Sequence, residues 1–420
     1  MKAPGNRDTL EAMTFRHPAV PIVLLVLLLD AIGFGIVLPV LPSLIVHLAD
    51  VSVAQATRIA GYMLVAYAGM QFLAGPVIGN IGDRFGRRPV LLACVVAFTI
   101  DYGLMAIAPT IAWLFLGRAI AGIAGASYGP ANAVLADVTR PEERARVFGL
   151  MGAAFGGGFI LGPAIGGLIA TLGTRAPFIA AASLAAINSL WVLVALPETL
   201  RKEDRRPFEW RRANPFGTFG PLLRAPEAAP LLLAALLWQV AHSVYPATWA
   251  FWAELRFDWT PAQIGMSLAA AGLSMAIAQA AITGPAVGKF GERKCVIIGM
   301  LVGGTSFALY SFVGASWLVY PIIFFSALQG LVYPSLNALL SRMTDASNQG
   351  ALQGGMASIA SIAAIIGPLA MTQALAFGAE HGTTGAAFLS AAALVAAAMA
   401  VVYFGVLRRA EGEPEPEPAK

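Results

Sequence analysis

The chain has 420 residues, of which 58% are hydrophobic and only 12% are charged, and its formal net charge is +4. A soluble globular domain carries about 25% charged residues, so this chain has too few charges to cover a water-facing surface. The composition excludes a soluble protein, and the small net charge gives no reason to expect a nucleic acid partner. The apolar runs are roughly 20 residues long and do not alternate, which favours membrane-spanning helices over a β-barrel.

The N-terminal region is polar up to residue 18 and then enters a long apolar run, Pro21 to Val46, which carries Asp30. The apolar stretch of a cleaved signal peptide is only about 7–15 residues long. The run therefore predicts a first transmembrane helix that is retained in the protein.

The remaining apolar runs complete a set of twelve predicted transmembrane helices. Their predicted ranges are 19–47, 59–80, 89–109, 111–137, 145–171, 177–197, 229–252, 262–288, 294–313, 315–339, 350–377 and 384–407. The fold class is therefore an all-α membrane protein.

Polar segments divide this chain into domains. A polar, basic linker at 198–228 separates an N-terminal six-helix bundle, 19–197, from a C-terminal six-helix bundle, 229–408. Residues 1–18 form a predicted cytoplasmic segment, and the acidic, proline-rich tail 409–420 is predicted to be disordered.

The basic residues predict the orientation, because Lys and Arg are enriched on the cytoplasmic side of a membrane. Of the 27 Lys and Arg, 23 fall in the termini, the linker and alternate connections on one side. Arg58, Arg175 and Arg256 fall on the other side, and Arg118 lies inside a predicted helix. We therefore expect both termini to be cytoplasmic.

An internal repeat relates the two halves. GPVIGNIGDR at 75–84 reappears as GPAVGKFGER at 284–293, in the second helix of each half. GPAIGG at 162–167 has a weaker counterpart, GPLAM at 367–371, in the fifth helix of each half. Two pseudo-symmetric bundles of this kind are typical of transporters, whose site lies between the halves near the midplane.

Three charged residues lie in predicted transmembrane helices: Asp30, Asp101 and Arg118. Each costs at least ~2.5–3.5 kcal/mol to insert at the helix centre, so such residues are usually functional. A carboxylate in a low-dielectric cavity takes up a proton more readily than in water, and a nearby arginine opposes this. Moving the acid and the arginine apart would couple conformation to protonation. We assign all three to proton coupling, the alternative being a permanent structural ion pair.

Two glycine-rich segments are candidates for gating. The loop GNIGDRFGRRP at 79–89 combines turn-forming glycines with arginines that face the cytoplasm, and Asp83 is suited to accept hydrogen bonds at a helix N-terminus. GGGFILGPAIGGLI at 156–169 presents small residues for close helix contact, with packing alone as the alternative role. The gating candidates are Gly79, Asp83, Arg84, Gly86, Arg87, Arg88, Gly162, Pro163, Gly166 and Gly167.

Polar residues inside apolar runs are candidates for lining a substrate cavity. Trp238, Tyr245, Trp249 and Trp252 are suited to stack on a flat substrate, although the tryptophans are equally suited to anchor helices at the membrane interface. For any single polar residue, an interhelical hydrogen bond is an equally good explanation. The substrate-binding candidates are Gln71, Asn132, Gln239, His242, Trp249, Gln279 and Gln329.

No soluble catalytic pattern or ATP-binding P-loop is present in the sequence, so we expect a protein that is not an enzyme. Cys94 and Cys295 suit neither an extracellular disulfide nor a metal site. We therefore expect no cofactor, and an ion gradient or the substrate gradient must supply the energy.

Several motifs resemble one family. GNIGDRFGRRPVLL, GRAIAGIAGAS and GFILGPAIGG resemble signatures of the major facilitator superfamily and of its drug/proton antiporters. LLDAIGFGIVLPVLPSL, IDYGLMA, VLADVT and QGALQG extend the resemblance to the tetracycline-efflux family, over nearly the whole chain. The resemblance implies a twelve-helix antiporter with alternating access. It places Asp30, Gln71, Asp101 and Arg118 at positions used for substrate handling or proton coupling.

Two positions depart from the resembled family. It carries an acid early in helix 9, where this chain has Gly303, and a histidine in helix 8, where it has Met275. The resemblance implies export of tetracycline as a divalent-metal complex. These departures weaken that implication, place more of the proton coupling on Asp30 and Asp101, and leave a different drug, antibiotic or metabolite open as the cargo. The alternatives are a carrier for another metabolite, either exporter or symporter, and a non-transporting receptor or scaffold. We expect a monomer in the inner membrane of a bacterium.

Overall fold

The computed structural model describes residues 17–210, 214, 229–342 and 349–404, without the side chains of residues 126, 145 and 349–351. The predicted tail 409–420, nearly all of segment 1–18 and most of the second half of the linker lie outside these residues. Within them the chain is helical, and we label the long apolar helices in chain order. They are α1 Ala19–Val37, α2 Val53–Phe85, α3 Arg87–Ile107, α4 Ile111–Val138, α5 Pro141–Leu172, α6 Ala176–Ala195, α7 Ala229–Phe257, α8 Pro261–Phe290, α9 Glu292–Phe312, α10 Ser316–Arg342, α11 Gln349–Glu380 and α12 Ala386–Val402.

Eleven of these helices in the described residues are long and apolar enough to cross a membrane. The last, α12, has 17 residues and is shorter than the predicted helix 384–407, whose end lies outside the described residues. At about 1.5 Å per residue it reaches roughly 25 Å, slightly less than a hydrocarbon core of about 30 Å.

The first predicted helix, 19–47, is not continuous. Helix α1 ends at Val37, and a separate helix, Leu41–Ala49, follows it. Pro39 lies between the two, and a proline inside a helix removes one hydrogen bond and collides with the carbonyl four residues earlier. Pro42 is tolerated because it lies in the first turn of the second helix, where no amide partner is needed.

Other long helices contain a local change of winding. Helix α4 passes through a 3₁₀ turn at Gly125–Ser127, α10 through one at Ala327–Leu331, and α8 through a π-helical turn at Ala278–Thr283. Helix α7 is interrupted at Ser243. Such turns place polar groups at membrane depth where neighbouring helices line a cavity.

The two halves share one packing scheme. In the N-terminal half α1 packs on α5, α3 on α6 and α2 on α4; in the C-terminal half α7 packs on α11 and α9 on α12. The halves meet along two helix pairs, α5 with α8 and α2 with α11. The fifth helix of each half therefore contacts the second helix of the other, so the interface follows the pseudo-symmetry of the two halves.

Glycines on these four helices show which side of the interface is closed. A Cβ added to Gly167 or Gly272 would meet the opposite half, 2.6 Å from the Pro261 carbonyl oxygen and 2.5 Å from Ile160 Cγ1. The other set lies towards the basic connections and has open space around it. That set is Gly69, Gly75 and Gly79 on α2, Gly152 and Gly156 on α5, and Gly284 and Gly288 on α8. The halves are therefore in contact on the side away from the basic connections.

Candidate functional site

Asp101 and Arg118 form a buried ion pair between α3 and α4. The Asp101 side chain is 0% exposed and accepts a hydrogen bond from Arg118 Nη2. Gly117 makes room for this carboxylate, because a Cβ there would lie 2.6 Å from Asp101 Oδ1. Arg118 also contacts Met105 Sδ at 3.4 Å, and its Cζ lies 5.9 Å from the ring centroid of Tyr67. The structure thus brings together two of the three predicted proton-coupling residues.

Asp30 lies apart from this pair and has a different partner. Its Oδ1 accepts a hydrogen bond of 2.8 Å from Asn188 Nδ2 on α6, which also donates to the Val26 carbonyl at 3.2 Å. The other oxygens of both side chains, Asp30 Oδ2 and Asn188 Oδ1, are buried and have no hydrogen-bond partner. Tyr102 links the two sites, since its ring packs against Gly33, one turn beyond Asp30.

A cavity lies between the two halves and consists of two adjoining pockets. The first has a volume of about 250 Å³ and is lined by Tyr67, Gln71 and Arg118 from the N-terminal half and by Ser243 and Pro368 from the C-terminal half. Gln71 Nε2 donates to the Gly125 carbonyl at 2.9 Å, at the 3₁₀ turn of α4. Arg118 therefore connects the buried Asp101 to the cavity.

The second pocket has a volume of about 280 Å³ and lies mainly in the C-terminal half. Of the predicted substrate residues, His242, Trp249 and Gln329 line it. Gln329 Nε2 donates to the Tyr245 hydroxyl at 3.2 Å, and Trp249 Nε1 donates to Ser267 Oγ at 2.9 Å. Leu38, Pro246 and Ala250 line both pockets and join them.

The other predicted substrate residues do not line either pocket. Gln279 lies in the π-helical turn of α8, and its Nε2 donates to the Gly330 carbonyl of α10 at 3.2 Å. Gln239 is placed with its Nε2 buried and without a partner, and Asn132 lies on α4 beyond the 3₁₀ turn. Their assignment to substrate binding stays a prediction.

The loop between α2 and α3 differs from its prediction in one respect. Asp83 lies in the last turn of α2, and its Oδ1 accepts a hydrogen bond of 2.6 Å from Arg87 Nη1, not from a helix N-terminus. Arg87 Nε also donates to Asp137 Oδ2 at 3.2 Å. The expected N-terminal position is wrong because α2 continues past Asp83 to Phe85, which leaves Asp83 at a helix C-terminus.

Glu198, at the start of the linker, takes the position predicted for Asp83. Its Oε1 accepts from the Arg87 backbone amide at 2.9 Å and its Oε2 from the Arg88 amide at 3.3 Å. A carboxylate at a helix N-terminus is stabilised by the helix dipole. Gly86 is required beside it, because its φ of 108° disfavours a side chain and a Cβ would collide with Glu198. Arg88 Nη2 donates to the Leu193 carbonyl at 2.5 Å.

The linker continues along the end of α2. The Arg206 amide donates to the Asp83 carbonyl at 3.0 Å, and Asn80 Nδ2 donates to the Glu209 carbonyl at 2.7 Å. Arg84 extends over the ring of Phe85, with its Cζ 5.0 Å from the ring centroid. The loop, the first part of the linker and the end of α4 therefore form one network of polar contacts in the N-terminal half.

The predicted gating segment of α5 packs on two helices at once. A Cβ at Gly162 would lie 2.6 Å from the Ile32 carbonyl on α1, and Gly166 faces Ile36 on the same helix. Gly167 faces Pro261, and the Pro163 carbonyl faces Gly265, both on α8 of the opposite half. These small residues let α5 approach α1 and α8 closely. In contrast, Gly79 of the loop segment has open space around it.

The three arginines on the closed side all have partners. Arg58 Nη2 lies 2.5 Å from Glu380 Oε2, and this ion pair joins α2 to α11 across the halves. Arg175 donates to the Ala106 and Ala108 carbonyls at the end of α3, and Arg256 donates to the Val313 carbonyl at the end of α9. Each therefore has a structural reason to lie on the side with few basic residues.

Sequence reasoning missed Asn188, Glu198 and Glu380. Asn188 was detectable as an amide inside the apolar run 177–197, but nothing in the sequence pairs it with Asp30. Within the described residues, no group of three His, Cys, Asp or Glu side chains is placed to hold a metal ion.

Comparison with known protein sequences also indicates a membrane transporter. The model of the Major Facilitator Superfamily matches residues 23–256 and 242–420. The chain is 41% identical over 384 residues to the class C tetracycline resistance protein of Escherichia coli, covering 91% of this chain and 94% of that protein. It is 38% identical over 394 residues to the class G tetracycline resistance protein of Vibrio anguillarum, with coverage of 92% and 96%.

Solved structures of other transporters share the fold. The human organic anion transporter MFSD10 aligns with a TM-score of 0.67 at 25% identity, covering 92% of this chain and 99% of that one. A bacterial homologue of the lysosomal transporter Spinster, in an inward-facing and unoccupied conformation, aligns with a TM-score of 0.72 at 14% identity, with coverage of 95% and 98%.

Proposed function

The chain belongs to the Major Facilitator Superfamily, and from this premise we propose that it is a proton-coupled antiporter that exports tetracycline or a similar drug. It is a multi-pass membrane protein that transports a small molecule, as are the resistance proteins to which it is 34–41% identical. The proposal adds the proton as the driving ion. It also adds the bacterial inner membrane as the location, with both termini in the cytoplasm and the chain acting as a monomer.

The observation that carries the proposal is the position of Arg118. It is bonded to the fully buried Asp101 and also lines the cavity between the halves. An ion pair buried for packing alone adds little stability, because desolvation offsets much of the attraction. Because Arg118 lies on the cavity wall, a cargo that enters the cavity can contact it and so affect the ion pair with Asp101.

The geometry supports a simple exchange cycle. In this cycle Arg118, while bonded to Asp101, stabilises the charged form of that carboxyl group. When Arg118 moves away, Asp101 is left buried without its counter-ion, and proton uptake relieves the cost of a buried charge. Alternating movement of Arg118 then ties the opening of the cavity to the gain and loss of one proton at Asp101.

Asp30 contributes a second group that can hold a proton. One carboxyl oxygen is bonded to Asn188, while the other is buried and without a partner. Because the closed side of the interface lies away from the basic connections, the cavity of this state faces the side that we assign to the cytoplasm. A drug would enter from there and leave on the other side after the halves rock.

Transport by vesicles tests the proposal. We expect everted membrane vesicles that contain the chain to accumulate tetracycline when a proton gradient is imposed, and a protonophore to stop the uptake. Asp101→Asn should abolish this uptake while the protein remains inserted in normal amount. The variant keeps the size of the side chain but cannot lose a proton.

The control is Asp50→Asn, which makes the same change at an exposed residue that lines neither pocket and should leave uptake within about twofold of the native rate. Full proton-driven uptake by Asp101→Asn would refute the role of Asp101. Uptake that is independent of the proton gradient in the native chain would refute proton coupling.

A further inference from the structure

The pocket of the C-terminal half is a distinct environment. Its walls are aromatic: the ring centroids of Trp249 and Tyr310 lie 5.2 Å apart at 89°, and those of Tyr245 and Trp249 lie 6.0 Å apart at 49°. His242 continues the wall, with its ring 5.3 Å from that of Tyr245. Aromatic rings in such edge-to-face arrangements present faces and edges on which a flat ring system stacks favourably.

The pocket carries no formal charge of its own. Among the described residues that line it, none is Asp, Glu, Lys or Arg, and most are aliphatic or aromatic. A cargo with a net charge would lose its hydration here without a counter-ion, which costs several kcal/mol by order of magnitude. The pocket therefore selects against a net charge on the part of the cargo that enters it.

Two polar side chains on the wall each have one atom without a hydrogen-bond partner. Gln329 is 6% exposed, and its Oε1 is buried without a hydrogen bond, although its Nε2 is bonded to Tyr245. His242 Nδ1 is also buried without a partner. Buried polar atoms are rarely left unpaired, so each of these two side chains would gain a hydrogen bond by turning its unpaired atom towards the pocket that it lines. A cargo with polar groups along one edge would supply these hydrogen bonds.

The packing beside the pocket leaves no space for an acidic side chain at position 303. A Cβ at Gly303 would lie 2.7 Å from Trp238 Cη2 and 3.3 Å from Gln329 Oε1. The indole of Trp238 therefore occupies the space into which a side chain at 303 would project. It also packs against His242, with ring centroids 5.2 Å apart, and holds the histidine in the wall.

We propose that the C-terminal pocket binds the planar, polycyclic ring system of the cargo without net charge and without a chelated metal ion. Gln329 and His242 then hydrogen-bond the polar edge of the rings, while Tyr245, Trp249 and Tyr310 enclose their faces. This inference rests on the proposed export function and defines the class of cargo for that site. A cargo chelated to a divalent cation has an added positive charge, which this pocket does not balance.

Binding of radiolabelled tetracycline to the purified full chain in detergent tests the inference. Equilibrium dialysis is carried out with EDTA and, separately, with Mg²⁺ at a concentration that saturates the drug. We expect the dissociation constant to be at least about tenfold lower with EDTA, because only the metal-free drug fits an uncharged pocket. Binding that is equal or tighter with Mg²⁺ would overturn the inference.

Two variants of one residue sharpen the test. Gln329→Leu removes the unpaired acceptor and should weaken binding in EDTA about tenfold. Gln329→Glu keeps the size but introduces a negative charge, and should shift the preference towards the Mg²⁺ complex. Gln353→Leu, on the exposed surface of α11, is the matched control and should bind as the native chain does. An unchanged metal preference in Gln329→Glu would show that the pocket does not set it.

Failure of this inference differs from failure of the proposed function. Proton-driven uptake of tetracycline that depends on Mg²⁺ would leave the antiporter function intact and refute the metal-free cargo. Tighter binding in EDTA than with Mg²⁺, in the absence of any proton-driven uptake, would refute the antiporter function and support the pocket assignment.

Discussion

The Arg58 guanidinium lies 2.5 Å from the Glu380 carboxylate and joins α2 of one half to α11 of the other, on the closed side of the interface. Both side chains are about two-fifths exposed, at 38% and 39%. An ion pair of this exposure contributes only ~0.2–1 kcal/mol. That is small for stability, but it is enough to shift an equilibrium between two conformations, because about 1 kcal/mol changes a population ratio roughly fivefold.

We expect Glu380→Gln to increase opening on that side. The measurement uses Leu41→Cys as a reporter, since Leu41 lines the cavity, and a membrane-impermeant thiol reagent added from that side. The labelling rate should rise up to about fivefold over the reporter alone. The charge swap Arg58→Glu with Glu380→Arg serves as the control and should restore slow labelling. Equal labelling rates in Glu380→Gln and in the reporter chain would show that the ion pair does not stabilise the closed conformation on that side.

Removing Arg118 alone should destabilise the chain more than removing the whole ion pair. Arg118→Ala leaves the carboxylate of Asp101 buried without its counter-ion, at a cost of roughly 3–5 kcal/mol. Asp101→Asn combined with Arg118→Gln removes both charges and should recover most of that loss. Thermal unfolding in detergent measures the difference.

The same pair of variants separates structure from transport. The double variant should fold and still fail to accumulate tetracycline, because no carboxyl group remains between α3 and α4. A double variant as unstable as Arg118→Ala would contradict the assignment of the loss to an uncompensated charge.

Asn188 should position Asp30 for proton exchange. Asn188→Leu removes the amide that binds Asp30 Oδ1 and should reduce proton-driven uptake at least about tenfold, as expected when a group that orients a proton donor is lost. Exchange of drug for drug at equal concentrations, without a proton gradient, should persist.

The exchange of the two side chains gives the control for Asn188. Asp30→Asn combined with Asn188→Asp keeps one acid and one amide in contact and should restore part of the uptake. If Asn188→Leu loses drug-for-drug exchange as well, Asn188 serves the structure of the bundle and not the proton step.

Transport should depend on the close contact that Gly265 of α8 makes with the opposite half. Gly265→Ala places a methyl group against the Pro163 carbonyl of the opposite half and should slow transport strongly, because the closed state cannot form without a shift of α5 or α8. Gly314→Ala, in the exposed loop between α9 and α10, makes the same change in open space away from this contact and is the control. Uptake by vesicles measures both, and equal rates would show that the close contact at Gly265 is dispensable.

The sequence predicted the helical architecture and the charged residues of the site because both follow from strong local rules. Runs of apolar residues must be helical in a bilayer, since no water satisfies the backbone. Asp101 and Arg118 stood out because a charge at membrane depth is costly. The repeat of GPVIGNIGDR also predicted that the chain consists of two pseudo-symmetric halves.

These rules did not predict which side chains from distant segments of the chain bind each other. The contact between Asp30 and Asn188 joins residues 158 positions apart, and the one between Arg58 and Glu380 joins residues 322 positions apart. Periodicity indicates which face of a helix is buried but not which helix covers it. The assignment of Asp83 failed for a local reason, since the apolar pattern placed the end of α2 at residue 80 and the helix continues to Phe85.

The attachment of the linker to α2 determines where the chain can be cut into two polypeptides that still assemble. Through Asn80 and Asp83, the stretch up to Trp210 belongs physically to the first bundle. A fragment ending at Trp210 would keep these contacts, whereas one ending at Leu196 would lose Glu198 from the start of α3 and expose two backbone amides. Co-expression of two polypeptides should therefore reconstitute drug resistance with the cut after Trp210, and poorly with the cut after Leu196.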